Sequence, residues 1–555
     1  MSEPNRIQQT FTPVDIKQTE NNEWLVDMGK VLNGWFQIHL PSLPAGHEIV
    51  FEYTDYIDKE NVFHNQDQSD IYVASGNGKE YFTNKFNHHA FRYIKIKNLI
   101  TKPLKEDIKA HLIHTNYDQA STFECSDPDM NAIHEMIQYT MRCLAFGGYM
   151  VDCPHLERAG YGGDGNSSNE TFNTMYNVAP LYTNWVQAWH DSMREGGSLP
   201  HVGPNPGAGG GGPYWCGFIV MAPWQIYINN NDFRLIERYY PTMKEWLGYV
   251  EKYTINGLLT RWPDTKYRDW FLGDWLAPHG VDAGAESSVS LVNNCFVSDC
   301  FDKMEKMAKL LGKDNEAKDF AQRRNNLNQL LHKTYFNNES AMYSTGSQLD
   351  MSYPMLVGVT PEGEYNRVKE KLFSESLGKY NGHIAVGLVG VPIITKWSIE
   401  NKAADFMYSI LKKRDYPGYL HMIENGATTT WEYWSGERSR VHNCYNGIGM
   451  WFYQAVGGIR TDENNPGYKH FFIEPQIPQG ITWAKTTKES PYGTISVDWK
   501  LESGKLFIDA TLPVGSTATV ILPDNAKSYR MNGKEYNTNK NIEIANGKNN
   551  IVISL

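Results

Sequence analysis

A chain of 555 residues is too long for one hydrophobic core and implies roughly two to four domains. Its net charge of −11 leaves no basic footprint for nucleic acid, and no run of about eighteen apolar residues offers a membrane span. Aromatic residues reach 13%, with 16 Trp and 33 Tyr, a supply of rings for stacking on sugar faces or for a large core.

The seven cysteines are odd in number and include no Cys-x-x-Cys pair, which argues against a disulfide framework and a structural zinc site. The opening Met-Ser-Glu-Pro-Asn-Arg lacks the charged-then-apolar pattern of a signal peptide. Unpaired cysteines fit the periplasm or the cytoplasm of a bacterium.

Residues 1–118 read as β structure. Short alternating runs at 24–28, 34–40, 48–53 and 91–96 are bounded by Asn, Gly or Pro, the pattern of a sandwich. The composition switches near Ser121, and Asp127-Pro128-Asp129 predicts a helix start. Helical spacing then recurs at 130–146, 169–195, 232–253, 289–311, 315–331 and 364–377, without a repeat of fixed period. From about Arg460 alternation returns at 471–475, 493–499, 505–511 and 517–522. The expected fold is a central (α/α)6 helical barrel at 119–460, flanked by antiparallel β-sandwich domains at 1–118 and 461–555.

Four stretches carry chemistry. Loop 151–165 packs three carboxylates, one arginine and four glycines between two helical segments. Crowded carboxylates push each other's pKa values apart, so one stays protonated while another ionises. Residues 201–215 are glycine-rich, but no strand precedes them and no Lys-Ser/Thr follows, so they read as a close-approach loop presenting Trp215 rather than a nucleotide loop. Residues 269–276 set Asp269 beside Trp270 and Asp274 beside Trp275, a carboxylate for hydroxyls and a ring for an apolar sugar face. Finally, Glu432 lies between Trp431 and Trp434, in surroundings that raise a carboxyl pKa, and His442 follows. His88-His89 is a lone pair in a β segment and no His-Glu-x-x-His occurs, so neither metal nor cofactor is expected. Two acids on separate loops, Glu157 and Glu432, are the apparatus of glycoside hydrolysis.

At these residues the chain resembles the α-L-rhamnosidases of glycoside hydrolase family 78. Residues 152–164, Asp-Cys-Pro-His-Leu-Glu-Arg-Ala-Gly-Tyr-Gly-Gly-Asp, are similar to that family's Asp-Cys-Pro…Glu-Arg-x-Gly-Trp-x-Gly-Asp signature. Gly-Asp-Trp-Leu at 273–276, Ala-Thr-Thr-Thr-Trp-Glu at 427–432 and Arg-Val-His-Asn at 440–443 match later landmarks. The resemblance implies an inverting exo-α-L-rhamnosidase with Glu157 as general acid and Glu432 as general base. Asp152, Asp164 and Asp274 would hold rhamnose hydroxyls. Tyr161, Trp215, Trp275, Trp431 and His442 would line the pocket, and Arg158 would pair with one acid. The partner implied is a rhamnose-containing glycan or glycoside.

This chain has one residue fewer than the signature between Pro154 and Glu157, Tyr161 in place of its Trp, and Cys216-Gly217-Phe218 where many members carry an Asp. Two other functions remain open from the residues alone. One is a lyase cutting rhamnose from a uronic acid, using Arg158, Tyr161 and His442; the other is a sugar-binding protein without turnover.

Overall fold

The computed structural model describes residues 3–19, 21, 23–205, 207, 211–262, 270–536 and 540–555. Residues 206 and 208–210 of the glycine-rich stretch, and Asp269, lie outside them.

The N-terminal domain is built on one long strand, Trp24–Leu40, whose buried Trp24, Val26, Phe36, Ile38 and Leu40 follow the period of two. Its partners change along its length. The first half pairs with Asp15–Gln18 and His89–Lys97, the second with Ile108–Thr115 and Glu80–Thr83. A register shift between Asp27 and Leu32, with Gly29 at φ 78°, bends the strand so that it serves both regions of the folded sheet.

The helices that follow are α1 (Pro128–Leu144), α2 (Gly162–Met175), α3 (Ala179–Asp191), α4 (Pro213–Cys216), α5 (Phe218–Asn230), α6 (Arg234–Glu251), α7 (Glu286–Leu310), α8 (Asp314–Tyr335), α9 (Gln348–Leu356), α10 (Glu362–Gly378), α11 (Gly390–Glu400), α12 (Ala404–Leu411), α13 (Tyr419–Glu424) and α14 (Gly449–Trp451), the last continuing as a π turn over Phe452–Val456. α1 starts as expected: Pro128 opens it and Asp127 accepts the Asp129 amide at 2.8 Å. α2 packs on α5, α5 on α7, α7 on α9, α9 on α11, α11 on α14 and α14 on α2, closing an inner ring of six. α1, α3, α6, α8, α10 and α12 pack outside that ring against α14, α5, α5, α7, α9 and α11 respectively, completing the (α/α)6 barrel.

Two local expectations give way. The helix expected over 169–195 is two helices, α2 and α3, because Tyr176 turns extended and Pro180 opens a new helix. The loop expected over 151–165 ends early, since Gly162 to Gly165 already form the first turn of α2. These glycines are there for room. A Cβ on Gly163 would lie 2.3 Å from the Trp215 ring, and one on Gly162 would lie 2.0 Å from the Trp215 carbonyl oxygen.

The C-terminal domain has a four-stranded and a seven-stranded sheet. One pairing departs from the antiparallel pattern, that of His470–Ile473 with Thr517–Val520, which is parallel. The seven-stranded sheet takes its edge strand, Ser121–Cys125, from before the helices. No helix among the described residues is long and apolar enough to cross a membrane, and all seven cysteines are free and buried.

Candidate active site

The loop before α2 is closed by the residue that starts it. The Asp152 amide donates to the Ala159 carbonyl at 3.0 Å, and the Asp152 carboxylate accepts the Ala159 amide at 2.9 Å. Arg158 stands at φ 55° to let the chain turn back, so the shorter loop still closes and holds Glu157 at its outer side. Asp164 then falls in the first turn of α2, where burial, with Glu432 and Glu157 nearby, pushes its carboxyl well above the usual carboxylate range. Glu432 arrives from the opposite side on a tight loop. Its amide donates to the Ser439 carbonyl at 2.9 Å, and its Oε2 accepts the Ser439 amide at 3.3 Å.

Between the two glutamates lies Arg438. Its Nη1 donates to Glu432 Oε1 at 2.7 Å, and its Nη2 donates to Glu157 Oε1. One planar guanidinium therefore spans the pair, which keeps the nearest carboxylate oxygens within about 7–8 Å of each other. The Glu432 side chain is fully buried, whereas those of Glu157 and Arg438 are 31% and 44% exposed and form the lip.

Burial and partners split the acids. Burial lifts Glu432 to about 7, with the Arg438 guanidinium opposing. Burial also pushes Glu157 upward, but hydrogen bonds from Asp152 and Cys153 and the Arg438 charge outweigh it and bring the carboxyl down to about 2. Asp152 is driven far above the carboxylate range by burial and by Glu157 and Asp164. The Cys153 thiol bridges this couple, 3.3 Å from Asp152 Oδ2 and 3.2 Å from Glu157 Oε2. Burial and its acidic neighbours thus favour the protonated form of Asp152, while the contact with Arg438 favours the carboxylate of Glu157.

His442 sits at the floor, 1% exposed, with Nε2 3.9 Å from Asp152 Oδ2 and Nδ1 3.6 Å from Asp164 Oδ1. Burial lowers it to about 3, so the imidazole is neutral and offers hydrogen bonds rather than charge. Asp164 Oδ1 is buried and has no hydrogen-bond partner among the described residues. The Trp275 ring lies 6.0 Å from that of His442, and Tyr161 packs on His201 at 5.3 Å. Asp152, Cys153 and His442, and Asp164, His442 and Cys444, form two buried sets close enough to share a cation. Each includes a buried thiol, and burial pushes that thiol well above its usual pKa.

Three assignments shift. Arg158 pairs with neither acid; it donates to Asn87 Oδ1 at 2.9 Å and the His88 carbonyl at 3.0 Å in the N-terminal domain. The pairing arginine is Arg438, in the stretch between Trp434 and Ser439 that the sequence motifs leave unmarked. Asp274 accepts the amides of Gly387 (2.7 Å), Val389 (2.9 Å), Gly390 (3.2 Å) and Trp275 (3.0 Å), so its carboxylate anchors the start of α11. Trp431 is 2% exposed and turns away from the glutamate beside it, its ring under Gly436 and 4.7 Å from the Arg440 guanidinium. Trp215 is buried against Gly163 and Gly211, shaping the wall from behind. The N-terminal domain also braces the site, with Asp55 accepting the Arg440 amide at 2.7 Å and lying 3.4 Å from His155.

A separate cavity of about 580 Å³ lies farther down α2, lined by paired charges such as Glu170 with Lys396 (3.0 Å) and Lys303 with Asp302 (3.0 Å). It holds none of the acids above. The catalytic candidates gather at the loop end.

Residues 118–456 match the bacterial alpha-L-rhamnosidase six-hairpin glycosidase domain, 17–114 the family's concanavalin-like domain and 458–537 its C-terminal domain. An alpha-L-rhamnosidase of Alteromonas sp. is 26% identical over 554 residues, covering 94% of this chain and 58% of the relative. Among solved structures, the alpha-L-rhamnosidase of Dictyoglumus thermophilum superposes with a TM-score of 0.92 at 23% identity, covering 100% of this chain and 64% of that one. The Streptomyces avermitilis alpha-L-rhamnosidase, complexed with L-rhamnose, gives 0.89 at 21% identity, covering 100% and 54%. The chain thus spans between half and two thirds of the length of these relatives. With that domain matched over more than half its residues, the chain belongs to the bacterial α-L-rhamnosidases of glycoside hydrolase family 78.

Proposed function

We propose that the protein is an inverting exo-α-L-rhamnosidase that removes terminal α-L-rhamnose from a glycan or glycoside. Glu157 is the general acid and Glu432 the general base. The observation that carries this reading is the pair itself: two glutamates on loops from opposite sides, held one guanidinium apart. Rhamnose entering between them displaces the water around Glu157. Loss of that water, with Arg438 drawn off, lets the Asp152 proton settle on Glu157, which passes it to the glycosidic oxygen as the C1–O bond breaks. Glu432 takes a proton from the water attacking the opposite face. Asp164, with its buried unpartnered oxygen, and neutral His442 grip hydroxyls, while Tyr161 and Trp275 cover the apolar side.

The ionisation of the resting pair favours a second reading, in which Glu432, at about 7, donates and Glu157, at about 2, accepts. Leaving groups separate the two. A phenol of low pKa departs without protonation, so the acid variant keeps much of its activity on a dinitrophenyl α-L-rhamnoside. The same variant loses about 10²–10⁴-fold on an alkyl rhamnoside. Glu157→Gln is expected to behave this way and Glu432→Gln to fail on both substrates. The opposite pattern assigns the roles in reverse, and full activity of either variant removes that glutamate from the mechanism.

A further inference from the structure

Arg438 touches both glutamates and must leave Glu157 before that acid can hold a proton, yet a neutral rhamnoside carries no charge to draw its exposed guanidinium away. We propose that Arg438 is a specificity-determining residue that receives an anionic group, a carboxylate or a sulfate ester, on the sugar that follows the rhamnose. This deepens the proposed function and rests on its placing of Glu157 on the leaving-group side.

The placement is built. Arg438 holds the left-handed backbone region at φ 61°, a strained conformation for a side-chain-bearing residue, and it is clamped there by the Glu432–Ser439 bonds. From there the side chain reaches the lip, where 44% of it is exposed beside a Glu432 that is fully buried. A guanidinium is a planar fork whose donors match the two oxygens of a carboxylate or sulfate. Its Nη2 faces Glu157, the acid that must sit beside the departing oxygen, so the next sugar passes within its reach.

The chemistry supplies the motive. A glutamate bonded to a guanidinium cannot keep the proton a general acid needs. An anion on the aglycone would draw Nη2 from Glu157 while Nη1 stays on Glu432, keeping the base ionised. The Asp152 proton then moves onto Glu157 and goes to the glycosidic oxygen; water adds to C1 and its proton ends on Glu432. An acidic neighbour would thus both bind and release the acid.

The test compares kcat/KM for rhamnosyl-(1→4)-glucuronate, its uncharged methylamide and a rhamnosyl-glucose sulfate, in wild type, Arg438→Gln and Arg438→Lys. Wild type is expected to favour an anionic substrate over the amide by about tenfold or more, as one charge-assisted contact allows. The ratio should fall toward one in Arg438→Gln, be partly kept in Arg438→Lys, and shrink with added NaCl. Gain on the uronate alone names a carboxylate site, gain on the sulfate alone a sulfate site, and gain on both a site for charge. Should Arg438→Gln fail to fold, the lysine variant and the salt series on wild type still decide. Equal rates on charged and uncharged substrates in wild type, or a preference unchanged in Arg438→Gln, overturn Arg438's role while leaving the hydrolase standing. Cleavage of no rhamnoside at all overturns the hydrolase reading itself.

Discussion

At Glu432, burial and a cation pull in opposite directions, and the balance sets the pH at which the base is ready. Burial favours the protonated form; Arg438 favours the carboxylate; the result is about 7. A base works only when ionised, so kcat/KM should rise with pH through a limb near 7. Removing the cation in Arg438→Gln takes away the group that holds the pKa down, so the limb should move to higher pH by about a unit. A limb near 4.5, or one that stays put in the variant, would take Glu432 out of the base's place. The pH dependence of kcat/KM on a neutral aryl rhamnoside reads this directly. The sequence brought Asp152, Glu157, Asp164, Glu432 and His442 to one place because each sits in a motif dense with functional residue types. It missed Arg438, since one arginine in a short loop after a Gly436 turn has no spacing that sets it apart from a solvated surface charge. It did not show that Asp274 accepts the amides that open α11, because a carboxylate beside a tryptophan reads the same whether it meets a hydroxyl or backbone amides.

The element that positions Asp164 is α2, whose first-turn glycines pack against Trp215. Gly163→Ala places a Cβ 2.3 Å from the indole, so the buried ring or the helix must shift. The expected cost is about 1–3 kcal/mol in chemical denaturation, with activity lost as Asp164 shifts. Gly363→Ala in the first turn of α10 meets nothing within 4 Å and should be neutral or stabilising by about 0.5–1 kcal/mol. If both variants behaved alike, close packing at Gly163 would not be what fixes the site. Burial on one face or on every face separates some of the helices that periodicity revealed from those it did not. Outer-ring α6, α8 and α10 bury one face and show helical spacing, whereas inner-ring α5 and α11 are buried almost all round and show little. An apolar run buried on every side gives no period to count.

Across the whole molecule the flanking domains hold the barrel rather than hang from it. Strand Ser121–Cys125 pairs with Trp483–Ser490 of the C-terminal sheet, and buried Lys488 donates to the Asn173 and Thr174 carbonyls in the last turn of α2 at 3.1 and 2.8 Å. Trp499 reaches the carbonyl of Val456 at 2.7 Å. From the front, the N-terminal domain supplies the partners of Arg158, His155 and Arg440. Far-ultraviolet circular dichroism and tryptophan fluorescence should therefore report one coincident unfolding transition, and two separated transitions would show that the domains stand apart. The three-part architecture was legible because alternation and helical spacing change abruptly near Ser121 and Arg460. The borrowed strand was not, because strand pairing across some 360 residues leaves no local trace. The most direct test of the central claim is the product's stereochemistry, followed by proton NMR as an α-L-rhamnoside is consumed. Net displacement by water between two opposed glutamates predicts β-L-rhamnose as the first sugar seen, with the α anomer growing in by mutarotation. Appearance of α-L-rhamnose first, or of an unsaturated sugar in its place, would contradict it.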